Sequence, residues 1–152
     1  MSNEPSTDHV ERNRGLWDSW APNWLESGER AWAMSDPTWG VYQIPESEVG
    51  LLTTFTGGSV IELGCGTGYV SAWMARLGGG PVGVDNSALQ LANAKRLQER
   101  FEIYFPLIHA NAEKLPFTDG SFDFAISEYG AAIWCDPYQW IPEAARVLRR
   151  GA

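Results

Sequence analysis

The densest chemistry in the chain lies in Glu62-Leu63-Gly64-Cys65-Gly66-Thr67-Gly68, three glycines at alternate positions behind a carboxylate. Glycines at 64, 66 and 68 let the backbone turn sharply and let a ligand approach without a Cβ in the way. A helix starting after Gly68 points its free N–H groups and positive dipole end into the same space, which suits a carboxylate or phosphate. The spacing puts Tyr69 where the dinucleotide fingerprint has its third glycine. Glu62, just before the turn, repels a pyrophosphate and suits an amino group. Asp85 follows Gly68 by seventeen residues, and its two oxygens can accept from both hydroxyls of an unphosphorylated ribose. Asp85 alone serves NAD equally well. Glu62 and Tyr69 move the balance to S-adenosylmethionine, whose methionine moiety carries such an amino group.

These residues need elements to bring them together. Ser59-Val60-Ile61-Glu62-Leu63 is a β-branched run ending at glycines and predicts a buried strand. Tyr69 to Leu77 has helical character and Gly78-Gly79-Gly80 stops it. Pro81 to Asp85 is a second strand. Ser87 then caps a helix whose apolar positions Ala88, Leu91, Ala94, Leu97 and Phe101 recur every three to four residues. Tyr104 to Ala110 is a third strand, and Pro106, which cannot donate to a ladder, assigns it to a sheet edge. Thr118-Asp119-Gly120 is a turn, Phe122 to Ser127 a fourth strand, and Pro142 to Arg150 a closing helix. Strands alternating with helices imply parallel pairing through right-handed crossovers, hence an α/β, Rossmann-like, doubly wound parallel sheet. Ligands in such sheets bind beyond the carboxyl ends of the strands, where the first strand and its turn lie.

Composition narrows the classes. The 152 residues are 44% hydrophobic and 20% charged, as in one soluble globular domain. No apolar run is long enough for a membrane span, and the polar stretch Met1 to Asp18 lacks the features of a secretory signal, so the expected location is cytoplasmic. The net charge is −8, with nine acidic and three basic side chains in residues 1–50. No basic stripe is present for a nucleic acid or an anionic membrane. Cys65 and Cys135 lie far apart, and His9 and His109 are single, so neither a disulfide framework nor a zinc site is expected. Cys65 reads as the small side chain its turn requires.

The run Glu62 to Gly68 resembles the first motif of class I S-adenosylmethionine-dependent methyltransferases, above all the group with the ubiquinone and menaquinone C-methyltransferases. Asn111-Ala112-Glu113-Lys114-Leu115-Pro116-Phe117 resembles that family's adenine-framing segment. Ser121 to Ser127 resembles its fourth strand, and Glu143-Ala144-Ala145-Arg146-Val147-Leu148 its next helix. The resemblance implies a cofactor site in which Glu62, Gly64, Cys65, Gly66 and Gly68 form the turn. Asp85 takes the ribose, the Asn111, Ala112 and Glu113 segment frames the adenine, and Asn86 and Ser127 are further cofactor-binding positions. The family commonly has Asp where this chain has Asn111, whose amide oxygen can still pair with an adenine amino group. The implied strand order is 3-2-1-4, and the chain stops at Gly151-Ala152, before the family's fifth to seventh strands. Residues 1–50 are then a helical lid or cap, and residues 51–152 the cofactor-binding half.

The implied reaction is methyl transfer to a small-molecule acceptor. The alternatives are a truncated, inactive cofactor-binding fragment and an NAD-dependent oxidoreductase fragment. The resemblance places Glu128 and Tyr129 towards the methyl group. Glu128 is then either a general base or else a solvated loop residue or structural cap, and Tyr129 a pocket wall. Trp17, Trp20 and Trp24 form one helical stripe, broken or kinked at Pro22, that either lids the cofactor or packs on the sheet. Trp134, Tyr138 and Trp140 are candidates for the opposite wall. The fourth strand, with Phe124, Ala125 and Ile126 at an open edge, is a candidate for self-association.

Overall fold

The computed structural model of the protein describes residues 8–53 and 55–152. Helix α1 (Asp8–Ala33) is followed by two short strands, β1 (Thr38–Trp39) and β2 (Ile44–Pro45), and by helix α2 (Glu46–Val49). The alternating region then runs β3 (Gly58–Leu63), α3 (Tyr69–Arg76), β4 (Gly79–Asp85), α4 (Ala88–Phe101), β5 (Leu107–His109) and β6 (Phe124–Ile126). It closes with α5 (Ala131–Trp134) and α6 (Pro137–Val147). The order β5-β4-β3-β6 is parallel throughout, with Glu62 opposite Gly83 and Leu63 opposite Val84. This is the expected 3-2-1-4 sheet, with the proline-preceded strand at one edge.

Successive residues of β3 enter opposite faces, as the period-two pleat requires. Val60 packs with Val70, Trp73 and Met74 beneath α3. Ile61 and Leu63 pack with Val84, Phe122, Ala144 and Val147 beneath α6. Both faces are therefore covered, as a parallel sheet demands.

Several boundaries differ from the expectation. Helix α1 is continuous through Pro22. An interior proline costs about 3 kcal/mol, and here the buried face formed by Val10, Ala21, Gly28 and Trp32 offsets it. Trp32 stacks on Phe101 and Phe105, and Asn93 Nδ2 donates to the Ala21 carbonyl at 2.7 Å, pinning the helix beside the proline. The segment before the sheet is not helical throughout, because β1 and β2 pair as a small antiparallel ladder.

Only Gly78 terminates α3, while Gly79 and Gly80 open β4. A Cβ at Gly79 would lie 2.8 Å from the Phe55 ring, so packing rather than turning selects that glycine. β5 is shorter than Tyr104 to Ala110 because Phe105 turns inward onto Trp32, leaving the Pro106 carbonyl to accept from Gly83 N. β6 is likewise short. Phe122 leaves it to bridge Leu148, donating to the Val147 carbonyl at 3.0 Å and accepting from Arg149 N at 2.9 Å. That bridge makes Leu148 extended, so the closing helix stops at Val147 rather than Arg150. The helix begins at Pro137 rather than Pro142, because Asp136 caps it by accepting from Tyr138 N at 2.9 Å and Pro137 occupies its first turn.

Candidate functional site

The turn after β3 is built by Gly64, Gly66 and Gly68, all at positive φ. Gly64 N and Cys65 N both donate to the Val84 carbonyl, at 2.8 and 2.9 Å, and lock the turn to β4. A Cβ on Gly64 would sit 2.6 Å from the Gly130 Cα, so two glycine backbones touch there. A Cβ on Gly66 would meet nothing, because that residue faces open space. Cys65 is buried against Gly83, where a Cβ would come within 3.0 Å of Sγ. Burial pushes its thiol well above the ordinary range, so it is a packing residue without thiolate character.

Gly66 opens onto a cavity of about 930 Å³, the space continuous with solvent included, at the carboxyl ends of the strands. The turn contributes Gly64, Cys65 and Gly66 to the wall, and the end of β4 contributes Asp85 and Asn86. Asn111, Ala112 and Glu113 form a second side, and Glu128 and Tyr129 a third. Helix α1 supplies the roof through Val10, Asn13, Arg14, Trp17 and Trp24, and Trp134 meets it edge-on, 5.2 Å from Trp17. Three of the expected residues lie behind the wall. Gly68 caps α3. Ser127 Oγ donates to the Leu63 carbonyl at 2.8 Å and accepts from Ala132 N at 3.1 Å, bolting β3 to α5. Glu62 is fully buried behind the turn.

The Glu62 carboxylate accepts from Ser71 N at 2.8 Å and from Ser71 Oγ at 2.5 Å, in the first turn of α3. Burial pushes its pKa up to about 8 from an ordinary 4.5, against the lowering effect of these bonds, and the charges of Asp85 and Glu128 add to the rise. Folding therefore favours the protonated form, and this contribution is lost as pH rises from 4.5 to 8. Glu62→Gln keeps an acceptor for Ser71 and removes the ionisation. We expect its thermal midpoint to match the parent's near pH 4.5 and to exceed it by several degrees at pH 8, read from paired melting curves.

Asp85 holds the turn from the other strand. One oxygen accepts from Gly66 N at 2.7 Å and the other from Ser87 N at 2.8 Å, leaving a lone pair on each for a further donor. Burial raises its pKa, while the bonds from Ser87 and Gly66 act the other way. Asn86 latches the roof, accepting from Arg14 Nε and Nη2 and donating to the Val10 carbonyl at 3.0 Å. Asn111 Oδ1 accepts from Glu113 N at 3.0 Å. Glu113 Oε1 meets His9 Nε2 at 2.6 Å and accepts from Asp136 N at 2.8 Å.

Glu128 is not a freely solvated loop residue, since its Oε1 accepts from Gly40 N at 2.9 Å. Tyr129 Oη accepts from Val41 N at 3.3 Å. Both residues thus fasten the β1–β2 turn to the cavity rim. Tyr138 is exposed at the surface rather than lining the cavity. Gly130, the hairpin and the polar roof residues Asn13 and Arg14 are not legible in the sequence. Among the described residues, no group of three metal-ligating side chains comes together, and no helix is long and apolar enough to cross a membrane.

The family described as a methyltransferase domain matches residues 61–152, which hold the turn, Asp85, the Asn111 segment and Glu128. The chain belongs to the methyltransferase-domain family. The sheet order and the Gly-rich turn are those of its class I, S-adenosylmethionine-dependent fold. The ubiquinone/menaquinone biosynthesis C-methyltransferase UbiE of Hahella chejuensis is 35% identical over 101 residues, covering 62% of this methyltransferase-family chain and 40% of that enzyme. A phosphatidylethanolamine N-methyltransferase of Cereibacter sphaeroides is 30% identical over 126 residues, covering 80% and 61%. The crystal structure of the PH0226 protein of Pyrococcus horikoshii OT3 superposes with a TM-score of 0.61 at 30% identity, over 67% of this chain and 50% of that one. The methyltransferase-family chain thus spans 40% to 61% of the lengths of these relatives.

Proposed function

We propose that the cavity binds S-adenosylmethionine and that the protein transfers its methyl group to a small-molecule acceptor. The observation that carries this reading is convergence. The bare backbone at Gly64 and Gly66, the carboxylate of Asp85 and the Asn111–Glu113 segment form one wall under an apolar, aromatic roof. Such a site fits the group. Gly66 leaves open space for the methionine moiety beside the turn, and Asp85 retains acceptor capacity for two ribose hydroxyls. Asn86 stands beside it, and Asn111, Ala112 and Glu113 would frame the adenine. Glu62, Gly68 and Ser127 act from behind, keeping the turn and α3 in place. The bound group supplies an electrophilic methyl; the protein's part is orientation and exclusion of water.

In this reading α1 is the lid, and residues 1–50 form a cap over the cofactor-binding half, residues 51–152. Trp17 and Trp24 line the roof, and the Asn86 latch to Arg14 and Val10 supports closure. Glu128 accepts a proton from acceptors that must lose one, and Tyr129 shapes the wall. The acidic composition disfavours nucleic acids as partners, and the free Cys65 and Cys135 accord with a cytoplasmic location. Self-association along β6 is read by sedimentation.

Titration calorimetry with S-adenosylmethionine, S-adenosylhomocysteine and NAD tests the reading. Micromolar binding of the first two, with no heat from NAD, is expected. Tighter binding of NAD, or binding of none of the three, overturns it.

A further inference from the structure

A second concavity adjoins the first. It is lined by Trp39, Gly40, Ile44 and Val49 on the hairpin side and by Glu128, Tyr129 and Ile133 on the other. Glu128 and Tyr129 also line the cofactor cavity, so the two spaces meet at those side chains. We propose that this groove is the acceptor site and that its ligand is a largely apolar small molecule without a negative charge. The assignment rests on the methyl-transfer reading above.

Three observations support it. The groove is built rather than accidental. Its turn is tied down by Gly40 N to Glu128 and Val41 N to Tyr129, and the Trp39 indole donates to Glu46 Oε2 at 2.5 Å while its ring packs edge-on against Trp73. Tyr129 is held at φ +50°, a region that a bulky residue occupies only when its surroundings impose it, and such strain concentrates at functional positions. The next residue, Gly130, packs so close to the carbonyls of Leu63 and Gly64 that a Cβ there would lie 2.3 and 2.5 Å from them.

Chemistry selects the ligand. Among the described residues, no cationic side chain lines the groove, and the one charged side chain that does is Glu128. A carboxylate or phosphate would find no partner there and would meet a like charge. The walls are instead apolar and open, with Ile44 42% and Ile133 56% exposed, and Val41 at 75% and Tyr42 at 87% on the adjoining turn. Large apolar side chains gathered around one groove mark a binding surface rather than scattered exposure.

Nile red, a neutral apolar fluorophore, is the probe. With the full chain it should show saturable one-site enhancement that persists when S-adenosylhomocysteine saturates the cofactor cavity. Ile44→Asp and Ile133→Asp place a charge on opposite walls at exposed positions, and each should weaken the dye by about tenfold. Affinity for S-adenosylhomocysteine by calorimetry should stay within about twofold, the sites being separate. Near-UV circular dichroism confirms that each variant is folded. The anionic dye anilinonaphthalene sulfonate should bind more weakly than Nile red. Displacement of Nile red by S-adenosylhomocysteine, parental affinity in both variants, or preference for the anionic dye overturns the assignment. Loss of S-adenosylhomocysteine binding by the parent chain instead overturns the cofactor reading, and the dye result stands apart from it.

Discussion

Gly130→Ala should destabilise the protein by about 3 kcal/mol or more, at the severe end for single substitutions, and abolish ligand binding in the cavity. The added methyl would lie 2.3 Å from the Leu63 carbonyl oxygen, 2.5 Å from that of Gly64 and 2.9 Å from the Gly64 Cα. All three are backbone atoms of the turn, so no side-chain rotation relieves the overlap. Either the turn or the segment after β6 must move. Moving the turn breaks the bonds from Gly64 N and Cys65 N to the Val84 carbonyl. The reciprocal Gly64→Ala meets the Gly130 Cα at 2.6 Å and adds the strain of φ +77°, so the two variants should fail alike. Gly66→Ala is the informative contrast, since its Cβ points into open space and only its φ of +52° opposes it. It should fold with a loss of only about 1 kcal/mol, while obstructing whatever approaches the turn. Urea unfolding of the three variants checks the order. Parental stability in Gly130→Ala would contradict the close contact.

Asp85→Ala should weaken S-adenosylhomocysteine binding by about a hundredfold, as expected when two charge-assisted hydrogen bonds to a ribose are lost. A part of the effect acts through the protein itself. The variant leaves Gly66 N and Ser87 N without their acceptor, loosening the turn and the start of α4 together. Asp85→Asn separates the two contributions. Its amide oxygen can still accept from one of the two N–H groups while its NH2 faces the other, so only part of the stability should return. The amide cannot accept from both ribose hydroxyls, so the affinity should not. Calorimetry beside thermal melts reads both. Affinity recovering in step with stability would reduce Asp85 to a structural tie.

How far these residues were legible depends on the range of the information each carries. Ser59 to Leu63, the glycine spacing and the cap at Ser87 are local signals, and the corresponding elements stand where the sequence places them. The edge position of β5 followed from one proline, because a missing donor is a local fact with a topological consequence. Other features depend on distant partners. Pro22 reads as a break, and only Asn93, together with the packing of Trp32 on Phe101 and Phe105, makes the helix continuous. Two-residue strands such as β1 and β2 carry no periodicity to detect. Gly130 has no recognisable spacing, since its requirement comes from a turn more than sixty residues earlier. Glu62 was legible as an important carboxylate, but its direction was not. It turns back to Ser71, accepting from that residue's N–H and hydroxyl at the buried N-terminus of α3.

The central claim is that the cavity under α1 receives S-adenosylmethionine with its ribose at Asp85. A crystal structure of the chain with S-adenosylhomocysteine tests it most directly. The ligand is expected along the Gly64–Gly66 turn, its ribose hydroxyls on the two Asp85 oxygens and its adenine beside Ala112, with Trp17 and Trp24 closed over it. Ligand bound elsewhere, or a ribose turned away from Asp85, would contradict it.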